Sequence, residues 1–159
     1  IDAVLWFAKE VFPIIVNRFP DIKWHIVGGK ATKEIEKLAS DNIIIEGFVT
    51  DEYLEKLYRT CRIAIVPLRF GAGVKGKVVE AGYYQIPLVT TSIGAEGLNI
   101  EDGAMLIEDN GTKMAELVCS LYQDFDRLRE MSERGKDFIR KNFLISEAER
   151  VIKLDISEI

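Results

Sequence analysis

Cysteine is scarce in this 159-residue chain: only Cys61 and Cys119 occur, far apart and in no metal or redox spacing. That excludes a disulfide scaffold, and reduced thiols in the cytoplasm are expected. Cys119 falls in the apolar stripe Met114, Val118, Leu121, Tyr122 and Phe125, where packing is its expected role. Histidine is scarcer, with His25 alone. It sits beside Trp24, Ile26 and Val27 with no acid partner in reach by sequence, so a structural or surface place is expected rather than catalysis. No apolar run approaches the roughly 18 residues of a membrane span. The chain opens on Ile1 without a signal-peptide pattern and reads as part of a longer protein. Nor is there a basic excess: 21 Lys and Arg face 26 Asp and Glu, for a net charge of −5. An acidic balance argues against a nucleic-acid surface but leaves room for a local basic pocket.

What is present is an ordinary globular composition, 48% hydrophobic and 30% charged, with length for one domain and one core. Leu5, Ala8, Phe12 and Ile15 lie at helical spacing in residues 2–18, with Asp2 as N-cap and Pro13 expected to bend the helix. KWHIVGG (23–29) reads as a strand, 31–39 as a short helix and NIIIEGFV (42–49) as a strand. Asp51 opens the helix DEYLEKLYRT, its acidic first turn matching the helix dipole. IAIVPL (63–68) is a continuous apolar run, as in a strand covered on both faces. KVVEAGYY is helical, PLVTT (87–91) and AMLIE (104–108) are strands, and helices are expected at 112–125, 126–142 and 146–157. Ser146 and Glu149 form a capping-box pattern for the last. Strands alternating with helices at these lengths predict an α/β fold: a three-layer, Rossmann-like domain with a parallel sheet.

In such a sheet ligands sit beyond the carboxyl ends of the strands. Those ends are Gly28-Gly29, Gly47-Phe48-Val49, Pro67 to Gly73, and Thr91 to Gly97, all rich in Gly or small polar residues. The run GAGVKGK (71–77) satisfies two phosphate-binding patterns. As G-x-G-x-x-G it needs an acid about 20 residues on, ending the next strand. That strand ends in Thr91-Ser92, and Glu96 lies beyond it, so the dinucleotide reading fails. As a P-loop it needs Ser or Thr after Lys77 to hold Mg²⁺, and the residue is Val78.

A simpler physical reading remains. Lys75 and Lys77 flank Gly76 where a helix starts, and free amides and the dipole there favour an anion. Gly71 and Gly73 allow close approach of backbone to ligand. Glu80 lies nearly one turn past Lys77, an acceptor pair suited to two vicinal hydroxyls. Phosphate donors followed by a diol acceptor describe a nucleoside diphosphate. A glycine turn with two solvated lysines and a surface glutamate fits the residues equally well, and on the residues alone the two readings stand level.

PLRFGAGVKGKVVEAGYYQIPLVTTSIGAEGL closely resembles the signature of the family 4 (group 1) glycosyltransferases, in their C-terminal domain. KWHIVGG and NIIIEGFVTDEYLEKLYRTCRIAIVPL extend the resemblance to roughly residues 2–145. It implies one half of a GT-B fold, a single nucleotide-sugar donor-binding domain over 1–159, drawn from a two-domain enzyme. It also implies a further strand ahead of residue 2, absent here. By resemblance, Glu80 holds the donor ribose, and Lys77 and Lys75 stabilise the leaving diphosphate without a metal. Gly71, Ala72, Gly73 and Val74 approach the donor sugar, Gly47, Phe48 and Val49 meet the base, and Gly28 and Pro67 line the crevice. Many members carry another glutamate where this chain has Ala72, which reads as a sub-family trait.

The implied activity is retaining transfer of a sugar from a nucleoside diphosphate sugar to a glycan or lipid-linked acceptor. No cofactor or metal takes part. The acceptor is bound by an N-terminal domain outside this chain, with peripheral membrane association of the full enzyme. A sugar-nucleotide epimerase or a non-catalytic nucleotide-binding module would share the same contacts. Among smaller features, Arg69 at the crevice rim is equally readable as functional or solvated. Glu96 suits sugar hydroxyls or a loop cap. Trp6, Phe7, Phe12 and Phe19 are expected to pack helix on sheet, and DFDRLRE to be a solvated helix face.

Overall fold

The structure is a computed structural model describing residues 1–29, 31–100 and 103–143. Its first helical stretch covers the residues expected but is not uniform. Helix α1 (Asp2–Trp6) runs into a π-helical stretch at Phe7–Val11, and α2 (Phe12–Arg18) follows. Proline lacks the N–H that would reach back four residues, and its ring crowds that carbonyl. The widened turn just ahead of Pro13, where the Phe12 amide bonds to the Phe7 carbonyl, absorbs the mismatch without ending the helix.

Strands and helices then alternate: β1 (Trp24–Val27), α3 (Lys33–Glu36), β2 (Ile43–Gly47), α4 (Asp51–Thr60), β3 (Ala64–Val66), α5 (Gly76–Tyr83), β4 (Leu88–Thr90), β5 (Leu106–Ile107), α6 (Gly111–Gln123) and α7 (Phe125–Phe143). The strands are shorter than the apolar runs that announce them, and α3 fills only the middle of 31–39. The helix expected at 146–157, with Ser146 and Glu149, lies outside the described residues. Thr50 rather than Asp51 caps α4, its hydroxyl accepting from the Tyr53 amide at 3.3 Å.

All described strand pairs are parallel, and β4 shows the alternation that gives three layers. Val89 faces one core with Phe7, Val11, Phe12, Ile15, Met114, Val118 and Cys119. Its neighbour Leu88 faces the other with Val78, Ala81, Ile86, Phe138 and Ile139. Phe7 and Phe12 pack on Trp24 with ring centroids 4.8 and 5.1 Å apart. Phe7 and Phe12 are therefore helix-on-sheet packing, as expected; Trp6 lies at the edge of the same core, Phe19 packs instead on Tyr122 of α6 with ring centroids 5.0 Å apart, and Cys119 is buried.

One departure matters for the site. The strands form two ladders rather than one sheet: β1 with β2, and β3-β4-β5. Between the facing edges of β1 and β3 lies a cavity of about 540 Å³, lined by Trp24, His25 and Val27 on one side and Ile63 to Val66 on the other. Phe12 and Ile15 close one face, Leu57 and Ala81 the opposite face. Helix α1 begins at the carboxyl end of this gap, because Asp2 takes two hydrogen bonds, at 2.9 and 2.5 Å, from Arg69, just past β3. Among the described residues neither of these facing strand edges has a ladder partner.

Candidate functional site

The carboxyl ends of the strands are tied together before any ligand is considered. Thr90 donates its hydroxyl to the Val66 carbonyl at 2.7 Å, and Thr91 donates to the Leu68 carbonyl. Thr91 also accepts from the Gly94 amide at 3.1 Å. Both threonines are essentially buried, so these bonds satisfy groups that would otherwise be costly. Gly94 is required: a Cβ there would lie 2.0 Å from Thr90 Oγ1. Sequence reading placed Thr91 at a strand end without a role and passed over Thr90; two polar residues ending an apolar strand were the available signal.

The glycine loop sits on this base. Gly71 and Gly73 have φ of 126° and 75°, conformations that L side chains avoid, and residues 71–74 are exposed. The loop after β4 abuts it, since a Cβ on Gly97 would lie 3.2 Å from Val74 Cγ2. Lys75 turns back, donating to the Gly73 carbonyl and pairing with Glu96 at 3.2 Å, its side chain only 11% exposed. Lys77 is different: it opens the first turn of α5, 64% exposed, and reaches Glu80 at 3.6 Å. The two lysines, treated alike at the sequence level, thus divide into a loop clamp and a solvent-facing cation. Glu96, left between two readings, is the clamp's partner.

Glu80 sits one turn into α5, and Tyr58 of α4 donates its hydroxyl to Glu80 Oε2 at 3.1 Å. The Tyr58 ring stacks on Tyr84, centroids 4.8 Å apart and planes at 12°. Burial first, and then the Glu80 charge, push the Tyr58 phenol well above its ordinary range, so it stays a proton donor. Sequence reasoning missed Tyr58, because nothing local distinguishes it from a packing aromatic.

On the other ladder, Gly47 at φ 66° ends β2, and the Gly28 amide donates to its carbonyl at 2.9 Å. Phe48 is 86% exposed, with its ring against Gly29, whose Cβ would lie 3.4 Å away. Val49 is half-buried and Pro67 is buried. Among the described residues no side-chain hydrogen bond or ion pair joins the Gly47–Val49 loop to Lys77 or Glu80.

Two residues changed standing. His25 has an acid partner after all: Nδ1 lies 2.7 Å from Glu46 Oε1. The β1-β2 register, which pairs His25 with Ile44 and Ile26 with Ile45, brings Glu46 alongside. Tyr53 also donates to Glu46, at 3.3 Å to Oε2, so Glu46 is engaged structurally. Arg69 is neither free nor on the loop. It is bound to Asp2 and lies over Trp6 at 5.9 Å; this pairing holds the Asp2 carboxyl below its ordinary range.

An uncharacterized 44.6 kDa protein in the cps region of Klebsiella pneumoniae is 28% identical over 151 residues, 90% of this chain and 39% of that protein. The chain therefore spans about two fifths of that curated relative. Anabaena HepE in complex with UDP and glucose superposes with a TM-score of 0.77 at 16% identity, over 98% of this chain and 46% of that one. The C-terminal domain of the Francisella tularensis group 1 glycosyl transferase LpcC gives 0.72 at 19%, over 91% of this chain and 80% of that one. A mutant of S. aureus TarM in complex with Fondaparinux, alpha-GlcNAc-glycerol and UDP gives 0.75 at 22%, over 95% and 32%. At these identities the likeness establishes the fold. The family described as "Glycosyl transferases group 1" matches residues 1–124, most of the sequence, and the chain belongs to it.

Proposed function

We propose that this chain is the donor-binding domain of a retaining glycosyltransferase that takes its sugar from a nucleoside diphosphate sugar. One arrangement carries the reading: an exposed glycine loop leads into the amino end of α5, where Lys77 faces solvent and Glu80 is held by Tyr58. The amino end of α5 and Lys77 suit a diphosphate, and the Glu80 carboxylate suits a ribose diol. UDP-glucose in a HepE complex and UDP in the TarM complex, both of the same fold, support the same ligand class.

In transfer, the bond from the sugar's anomeric carbon to the diphosphate oxygen breaks and negative charge grows on the leaving nucleoside diphosphate. Positive charge placed there beforehand lowers the barrier. Lys77 supplies it directly, and Lys75 supplies it once drawn off Glu96. Gly71, Ala72, Gly73 and Val74 pass beside the sugar. The base rests toward Gly47, Phe48 and Val49, with Gly28 and Pro67 in the crevice floor. No metal is needed in this scheme. The acceptor, a glycan or lipid-linked sugar, binds another domain of the full protein, which works in the cytoplasm and meets the membrane peripherally.

The test is titration of the isotopically labelled chain with UDP, GDP and ADP, with and without a chelator. Amide shifts clustered at 47–49 and 71–80 that survive chelation are expected. No perturbation of those loops at millimolar nucleotide would overturn the reading.

A further inference from the structure

The Tyr58 hydroxyl has one described partner, Glu80 Oε2. Its ring is accounted for by packing: it stacks on Tyr84, the residue just past α5, and lies against the core that holds Val78 and Ala81. Phenylalanine would serve that packing equally well, so the hydroxyl calls for a separate reason. Helix α4 thus grips α5 twice, by ring at its last turn and by hydrogen bond at Glu80.

The two carboxylate oxygens of Glu80 are treated unequally. Oε2 takes the Tyr58 hydroxyl and also lies nearest Lys77, at 3.6 Å. Oε1 has no described hydrogen-bond partner. The Lys77 contact is solvent-exposed, and pairs of that kind hold a side chain weakly. The hydrogen bond from half-buried Tyr58 to a charged acceptor is the stronger restraint. Without it, Glu80 would be free to turn either oxygen away from the ligand, removing an ordered diol acceptor while leaving the Lys77 contact much as it is.

We propose that Tyr58 is a positioning residue for ribose recognition: it holds Glu80 Oε2 so that Oε1 stays open to a hydroxyl of the nucleotide sugar. This rests on the donor-binding reading above. It adds that selectivity for the ribose hydroxyls is set from α4, outside the glycine loop.

The experiment compares calorimetric affinities for UDP and its 2′-deoxy and 3′-deoxy analogues in the native chain and in Tyr58→Phe, with the guanine and adenine series run in parallel. The native chain is expected to lose about ten-fold with at least one deoxy analogue, the scale of one hydrogen bond to a charged group. Tyr58→Phe is expected to bind the parent nucleotide about ten-fold more weakly and the deoxy analogue as the native chain does, bringing the ratio close to one. Pyrophosphate affinity stays level. Fluorotyrosine in place of Tyr58, a stronger donor of the same shape, should preserve or raise the ratio, which also covers any loss of folding in the Phe variant. A native-sized ratio in a folded Tyr58→Phe would overturn the positioning role. A ratio near one in the native chain, or no binding in any of the three series, would overturn the donor-binding reading and this inference with it.

Discussion

Lys75 and Glu96 meet at 3.2 Å, and their pair closes the loop after β4 onto the glycine loop. Lys75 is nearly enclosed there while half of the Glu96 side chain is exposed, at 11% and 48%. The cation that would serve a diphosphate is therefore partly neutralised within the protein. Removing the acid while keeping its shape should release it. Glu96→Gln is expected to raise pyrophosphate affinity about two- to five-fold at low salt, with the gain fading as salt is added. Lower affinity in calorimetry would mean that Glu96 orders the loop rather than restrains Lys75.

The junction of α5 with α7 is as tight as the site is open. A Cβ on Gly82 would lie 2.5 Å from Ile139 Cγ1, a clash only a shift can relieve. Gly82→Ala is expected to destabilise the chain by about 1–3 kcal/mol, the usual scale of overpacking, read as a lower midpoint in denaturant. Adding Ile139→Ala should recover part of the loss, because the two residues touch and their effects are not additive.

The gap between the ladders makes a different claim. Amides alternate between the two edges of a parallel strand. Trp24 donates to Asn42 and Ala64 to Pro87, so the His25, Val27 and Ile65 amides face the cavity. They are expected to exchange with solvent deuterium about a hundred-fold or more faster than Trp24 and Ala64, the mark of strand edges outside a ladder. Joining an apolar strand-forming segment to the amino side of Ile1 should bring their protection level. Equal protection in the chain by itself would show that the edges are already paired.

Asp2 holds its charge further into acid than an ordinary aspartate does. Its hydrogen bond from Arg69 is the largest influence and lowers its pKa below the ordinary 3.8. A carboxyl depressed in the folded state contributes fully above its unfolded pKa and loses that contribution as pH falls through the folded one. The Trp6 indole signal, beneath Arg69, should hold steady from pH 8 to about 5 and shift only below about 4. A transition centred near neutrality would point to a different group.

Much of this was legible in the residues because each signal was local. Continuous apolar runs marked buried strands, GAGVKGK marked the loop, and Lys77 with Glu80 marked one helix face. What escaped was decided by tertiary contact. The parallel register gave His25 its partner Glu46, Asp2 reached Arg69 across the chain, and Tyr58 met Glu80 from another helix. Pro13 was expected to bend its helix, and the local answer was a π-helical turn. Lys75 and Lys77 look equivalent in sequence, and only the fold of the following loop separates them.

The most direct measurement of the central claim is calorimetry of Glu80→Ala with UDP and with pyrophosphate. If the glycine loop and α5 hold a nucleoside diphosphate with Glu80 on the ribose, UDP affinity falls about ten-fold or more and pyrophosphate affinity does not fall, holding level or rising slightly as Lys77 loses its neighbouring acid. Equal loss for both ligands, or none for either, would contradict it.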